Sequence, residues 1–124
     1  FPGGVMTLSG EKFLAVLKIE LRDALESLKD LLESFKKAEA ECRITEYVCR
    51  GNTGLVRQEI AGIEALLEGM DAFPPETRET PEAAREAVRA SVAEGIARSG
   101  YPEVLNLLVD RKIRKVLRFL TETE

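Results

Sequence analysis

The sequence predicts an all-α fold, an antiparallel four-helix bundle built from two α-hairpins with a long first helix. Apolar residues recur at alternating steps of three and four, which is the spacing of a helix face, and glycine and proline are concentrated between these runs. The composition, 44% apolar and 32% charged, is that of an ordinary soluble folded protein. The longest seam consists of Leu14, Leu17, Leu21, Ala24, Leu28, Leu31, Phe35, Ala38 and Cys42.

The first helix is predicted to begin near residue 10 and to end near residue 50. Ser9 is a good N-cap, and Phe13 opens the apolar pattern. No Gly, Pro, Asn or Asp lies between Ser34 and Arg50, whereas Gly51–Gly54 concentrates residues that end helices. The first turn is therefore predicted at Gly51–Gly54, which makes helix one about 40 residues, or roughly 60 Å, long.

An alternative interpretation places the first turn around Cys42–Thr45 and runs helix two from Ile44 to Met70. Gly51 and Gly54 then lie inside helix two, where each glycine costs about 1 kcal/mol. This alternative gives helices of matched length, and the two interpretations remain open at this point.

The second half of the chain is predicted to form the second hairpin. Residues 73–80 are rich in proline and form the loop between the hairpins. Thr80 and Pro81 supply the N-cap and the first position of helix three, and Gly100 ends it. Pro102 and Glu103 open helix four. The inward positions of helix three are Ala84, Val88, Val92 and Ile96, and those of helix four are Leu105, Leu108, Val109, Ile113, Val116, Leu117 and Leu120.

The 124 residues are expected to form a single domain, with residues 1–8 as a flexible N-terminus or a cloning remnant. A formal charge of −4 disfavours general adhesion to phosphate backbones or anionic lipid. No stretch has the length of a membrane span or the pattern of a secretory signal. We therefore expect a soluble, cytoplasmic protein that binds no membrane, and we do not expect it to bind nucleic acid.

The residues that usually carry chemistry form no recognisable site. The chain has no histidine, and Cys42 and Cys49 are interpreted as small apolar residues of a buried seam. One acidic stripe, at helical spacing, is interpreted as a solvated face with ion pairs; it consists of Glu20, Asp23, Glu26, Asp30 and Glu33. We predict no catalytic residue, metal site or cofactor. The alternative is a Mg²⁺-dependent all-α nucleotide-processing enzyme that uses these acids.

Five cations near the C-terminus form a candidate basic docking face on helix four: Arg111, Lys112, Arg114, Lys115 and Arg118. Such a face indicates one alternative function, that of a nucleic-acid-associated module. No aromatic residue on which bases could stack interrupts it until Phe119. The simpler interpretation is that these cations offset the helix dipole and pair with the acids of helix one.

The function predicted from the sequence is protein–protein interaction, with a homodimer as the first partner and an adaptor or regulatory role beyond it. A long helix one leaves part of its apolar seam uncovered. We expect the same region of a second chain to cover that surplus in an antiparallel arrangement. The predicted docking residues are Leu31, Phe35, Ala38, Cys42 and Val48.

Overall fold

The computed structural model describes residues 9–41 and 44–123, and over these residues the fold is all-α, as predicted. Four helices and one short 3₁₀ turn follow in order, and the described residues contain no strand. The elements are α1 (Gly10–Ala40), α2 (Glu46–Asp71), the 3₁₀ turn Pro75–Arg78, α3 (Pro81–Ser99) and α4 (Val104–Thr123).

Three helices begin at side-chain caps that the sequence supplies. The hydroxyl of Ser9 accepts a hydrogen bond from the backbone N–H of Lys12, and Thr45 and Thr80 cap α2 and α3 in the same way, each at 3.1 Å. Gly100 ends α3 with a φ of 70°, a left-handed conformation that glycine adopts without a steric penalty. The predicted starts of helices one and three and the predicted end of helix three are confirmed.

The preferred position of the first turn was wrong. α1 ends at Ala40 after 31 residues, and Gly51 and Gly54 both lie inside α2. Thr45 is the reason, because its hydroxyl caps α2 and the burial of Thr53 and Val56 holds the helix through the glycines. This burial offsets a loss of about 1 kcal/mol per glycine. The alternative, in which helix two continues through both glycines, was correct, although residues 42 and 43 of its turn lie outside the described residues. α1 remains the longest of the described helices.

The core lies where α1 is covered by all three other helices. Its buried side chains come from the first half of α1, the second half of α2, and the whole length of α3 and α4. The largest fully buried side chains are Phe13, Leu14, Leu17, Leu21, Ile63, Met70, Ile113, Leu120, Val88 and Val116. The inward positions predicted for helices three and four are all buried or half-buried.

Beyond this core, α1 and α2 continue as a two-helix hairpin, which we call the arm: residues 29–40 of α1 and 46–58 of α2. The buried residues of α1 end at Leu25, and Val56 is buried without belonging to the main core. The arm is about 18 Å long, from the helical rise of 1.5 Å per residue. It exists because α1 and α2 are longer than α3 and α4.

Arg78 joins the end of α2 to the start of α1. Its guanidinium donates to the backbone oxygens of Phe73 at 3.2 Å and Met70 at 2.7 Å, and to the Glu11 carboxylate at 3.3 Å. The first two bonds satisfy carbonyls at or just past the end of α2, which have no partner within that helix. The predicted loop at 73–80 is thus an ordered connection that holds the two hairpins together.

Candidate functional site

One face of α2 is withdrawn from water from Thr53 to Met70, and α1 is the main neighbour of this helix. Its residues are spaced at alternating steps of three and four, as in a coiled coil, and every one of them is buried or half-buried. They are Thr53, Val56, Ile60, Ile63, Leu67 and Met70. Within the arm, this face contributes the buried Thr53 and Val56.

A second face of α2 lies beside the first and has the same spacing: Val48, Asn52, Leu55, Glu59, Gly62 and Leu66. In the core this second face is covered, because a Cβ at Gly62 would overlap the side chain of Leu105 on α4 and lie 3.4 Å from Tyr101. In the arm it is uncovered, with Val48 43% exposed and Leu55 49% exposed. The second face of α2 therefore continues past the helices that cover it.

One side of α1 is likewise buried in the core and exposed in the arm. Leu31 is 42% exposed, although it follows the buried Ala24 by seven residues and so shares its side of the helix. Phe35 and Ala38 are half-buried. We group Leu31, Phe35 and Ala38 with Val48, Asn52 and Leu55 of α2 as the arm face, the surface we take as the candidate site.

Four of the five predicted docking residues lie on the arm: Leu31, Phe35 and Ala38 on α1 and Val48 on α2. Cys42 lies outside the described residues, and of Cys49 only the backbone within α2 is described. Leu55 and Asn52 were missed, because Gly51–Gly54 was predicted to be a turn. The signal that identifies them is the seven-residue spacing from Val48 through Leu55 to Gly62.

Glu59 lies where the arm meets the core, on the second face of α2. Burial raises the pKa of its carboxyl above the usual value, because a partly dehydrated site disfavours the ionised form. The core end of the arm face is therefore already partly withdrawn from water.

The predicted basic face divides into two groups. Lys112 and Lys115 both bind the Glu20 carboxylate of α1, at 3.1 and 2.9 Å, so these two cations pair with an acid of helix one. Arg111, Arg114 and Arg118 point away from the core and make no ion pair with any residue that the structure describes. Three of the five cations are thus left without an ion pair to a described residue.

Glu20 links α1 to α4 and makes part of the stability depend on pH. The hydrogen bond from Lys115 lowers the pKa of its carboxyl, and Lys112 adds to the effect. A lowered folded-state pKa gives stability that is present above the unfolded-state pKa, and that stability is lost as the pH falls through the folded-state pKa. This ion-pair cluster therefore contributes at neutral pH and not in acid.

Substitution Glu20→Gln is expected to lower the free energy of unfolding by about 0.5–1 kcal/mol at neutral pH. Chemical denaturation at pH 7 and again near pH 3, where the unfolded carboxyl is mostly protonated, measures the difference. The difference should shrink in acid. Glu33→Gln is the matched control, since its pair with Lys36 at 3.6 Å is exposed. Equal effects of the two variants at both pH values would contradict the role given to Glu20.

The other acids of the helix-one stripe do not converge. Asp23, Glu26, Asp30 and Glu33 are exposed, whereas Glu20 turns toward α4. Within residues 9–41 and 44–123, no group of three or more cysteine, aspartate or glutamate residues is arranged to hold a metal ion. The structure brings these acids to no shared centre there.

A cleft of about 440 Å³ lies between α2, α3 and the start of α4. Its floor is apolar and its walls carry small residues, among them Gly62, Ala65, Ala87 and Gly95. Glu94 and Arg98 also line it, and they pair with each other at 3.6 Å. The charged groups of the cleft are thus partnered by the chain itself.

Across the parts of the chain that the structure describes, no helix combines the length and apolarity needed to cross a bilayer. Comparison of the chain with protein-family models, with curated proteins and with solved structures finds no match in any of the three.

Proposed function

We propose that this protein works by associating with other protein chains through the arm face, and that its first partner is a second copy of itself. The observation that supports this is the uncovered second face of α2. Val48 and Leu55 precede Gly62 at steps of seven residues, and in the core Gly62 is covered by Leu105 of α4. A helix face with this spacing is suited to pack on further helices.

The length of the arm supports a second copy as the partner. The core end of the α1–α2 hairpin is covered by two helices, and the arm is itself a pair of helices. In a dimer with two-fold symmetry, the arm of one copy would pack against the arm of the other copy. It would then lie end to end with the other copy's α3 and α4. Each arm then occupies the space that lies beyond the end of the other copy's α3–α4 hairpin, and both arm faces are covered.

The apolar residues of the arm face would supply the driving force. Leu31, Val48 and Leu55 are each nearly half exposed, and full burial of such a side chain contributes about 1 kcal/mol. Phe35 and Ala38 add surface that is already partly buried. An aspartate in this face would have to lose its hydration without a partner charge.

The substitutions Leu31→Asp and Leu55→Asp are expected to convert a dimer to a monomer, with association at least tenfold weaker. Light scattering and sedimentation over a range of concentrations measure the mass, and circular dichroism checks that the helices are retained. Ile19→Asp is the matched control, because Ile19 is exposed on the core half of α1, ten residues before the arm begins.

The proposal requires a specific oligomeric state for each of these four proteins. The unsubstituted chain and Ile19→Asp must both be dimeric, and the two arm variants must both be monomeric. A chain that is monomeric at every concentration, or arm variants that keep the mass of the dimer, would overturn it.

A further inference from the structure

Asn52 is the one uncharged polar residue on the uncovered part of the second face of α2. Val48 precedes it by four residues and Leu55 follows it by three, so all three share one side of the helix. Asn52 is exposed in the single chain. A polar asparagine inside an otherwise apolar helix seam weakens packing, but it specifies which register and orientation the paired helices adopt.

Asn52 also lies at the middle of the arm. It is six residues from Glu46, the first residue of α2, and Ser34 is six residues from Ala40, the last residue of α1. Because the two helices of a hairpin run antiparallel at the same rise per residue, Ser34 and Asn52 lie at about the same height, measured along the axis of the arm. In a two-fold pairing of two arms over their full length, the axis passes at that height.

Charges on α1 are arranged symmetrically about the same height. Asp30 lies four residues before Ser34 and Lys37 lies three residues after it, on the outer edge of the arm face. Both side chains are exposed, and neither makes an ion pair with a described residue. Antiparallel pairing of α1 with its copy brings Asp30 of each chain toward Lys37 of the other, so the charges are complementary in this register.

The geometry points to Asn52 as the residue that sets the register and partner choice of the arm: it pairs with Asn52 of a second copy across the two-fold axis. This inference rests on the proposed function. The two amides each offer a donor and an acceptor, so they satisfy one another where Val48 and Leu55 exclude water. The pairing is homotypic, and a helix of a different protein would leave the amide without this partner.

Opposite charges at position 52 give the decisive test. Asn52→Asp alone and Asn52→Lys alone place two like charges side by side, and each should weaken self-association at least tenfold. An equimolar mixture of the two variants should recover a dimer, because Asp and Lys then face each other across the axis. Sedimentation of each variant and of the mixture measures the masses. Thr121→Asp and Thr121→Lys, at an exposed residue in the last turn of α4, should leave the dimer unchanged.

The outcomes separate this inference from the proposed function. Suppose that Leu55→Asp abolishes the dimer, but the mixture of the Asn52 variants stays monomeric or either Asn52 variant alone dimerises normally. Position 52 then does not contact position 52 of the second copy, and only this inference fails. If the unsubstituted chain is monomeric, the proposed function and the inference fail together. Circular dichroism of each variant confirms that the loss of dimer is not a loss of helix.

Discussion

Replacement of Ile113 by alanine is expected to lower the free energy of unfolding by about 2–5 kcal/mol. Ile113 is fully buried on α4, in the core cluster that also contains Leu17 and Leu21 of α1. The substitution removes three carbon atoms from a close-packed site, so it loses both their burial and the contacts of the residues around them. Urea denaturation followed by circular dichroism measures the change as a lower midpoint at an unchanged slope.

Ile19→Ala is the matched control for this prediction. Ile19 lies on α1 but is 57% exposed, so removal of the same three carbon atoms there leaves little or no cavity. Its effect should stay within about 0.5 kcal/mol. Both variants are compared at one protein concentration, because association of folded chains would otherwise add to the apparent stability. Similar losses for the two variants would contradict the placement of the core.

Substitution Gly10→Ala is expected to destabilise the fold by about 1–3 kcal/mol, although alanine is the better helix former. A Cβ at Gly10 would lie 2.5 Å from the backbone oxygen of Arg78 and 2.7 Å from that of Thr80. These are backbone atoms of the connection between the hairpins, so no side-chain rotation can relieve the overlap. The start of α1 must move away from the segment that Arg78 holds in place.

Gly51→Ala is expected to have the opposite sign, a gain of about 0.5–1 kcal/mol. Gly51 lies inside α2 in helical conformation, and no atom outside its local helix lies within 4 Å of an added Cβ. Thermal and urea denaturation of Gly10→Ala, Gly51→Ala and the unsubstituted chain compare the two sites directly. A loss at Gly51 would indicate that Gly51–Gly54 is a turn after all, and a gain at Gly10 would contradict the close contact with the connection.

The sequence predicted the features that short-range interactions control. Ser9, Thr80 and Gly100 mark helix ends because their own side chain or backbone freedom satisfies the terminal groups, whatever the rest of the chain does. The inward residues of α3 and α4 followed from helical periodicity. The position of the first turn could not be predicted in this way. The chain can turn at the two glycines, or it can turn just before Thr45 and continue as a helix through them. The free energy of packing α2 on α1 decides between these two arrangements.

The candidate site was predicted in part for the same reason. Leu31, Phe35 and Ala38 continue a seam that is visible in the sequence, and they lie on the arm as the periodicity suggested. Leu55 and Asn52 required the knowledge that α2 is continuous through Gly51. The pairing of Glu20 with Lys112 and Lys115 joins residues more than ninety positions apart, and only one of several acids of α1 takes part in it.

By itself the sequence determined that the described residues are all-α, that they form four helices, and which residues of α3 and α4 avoid water, since these depend on periodicity and capping within one or two turns. The tertiary structure decided where the first hairpin turns and how far α3 and α4 cover it. Those depend on the relative lengths and offsets of packed helices, which no single segment specifies. The exposed arm face is the result of that difference in length.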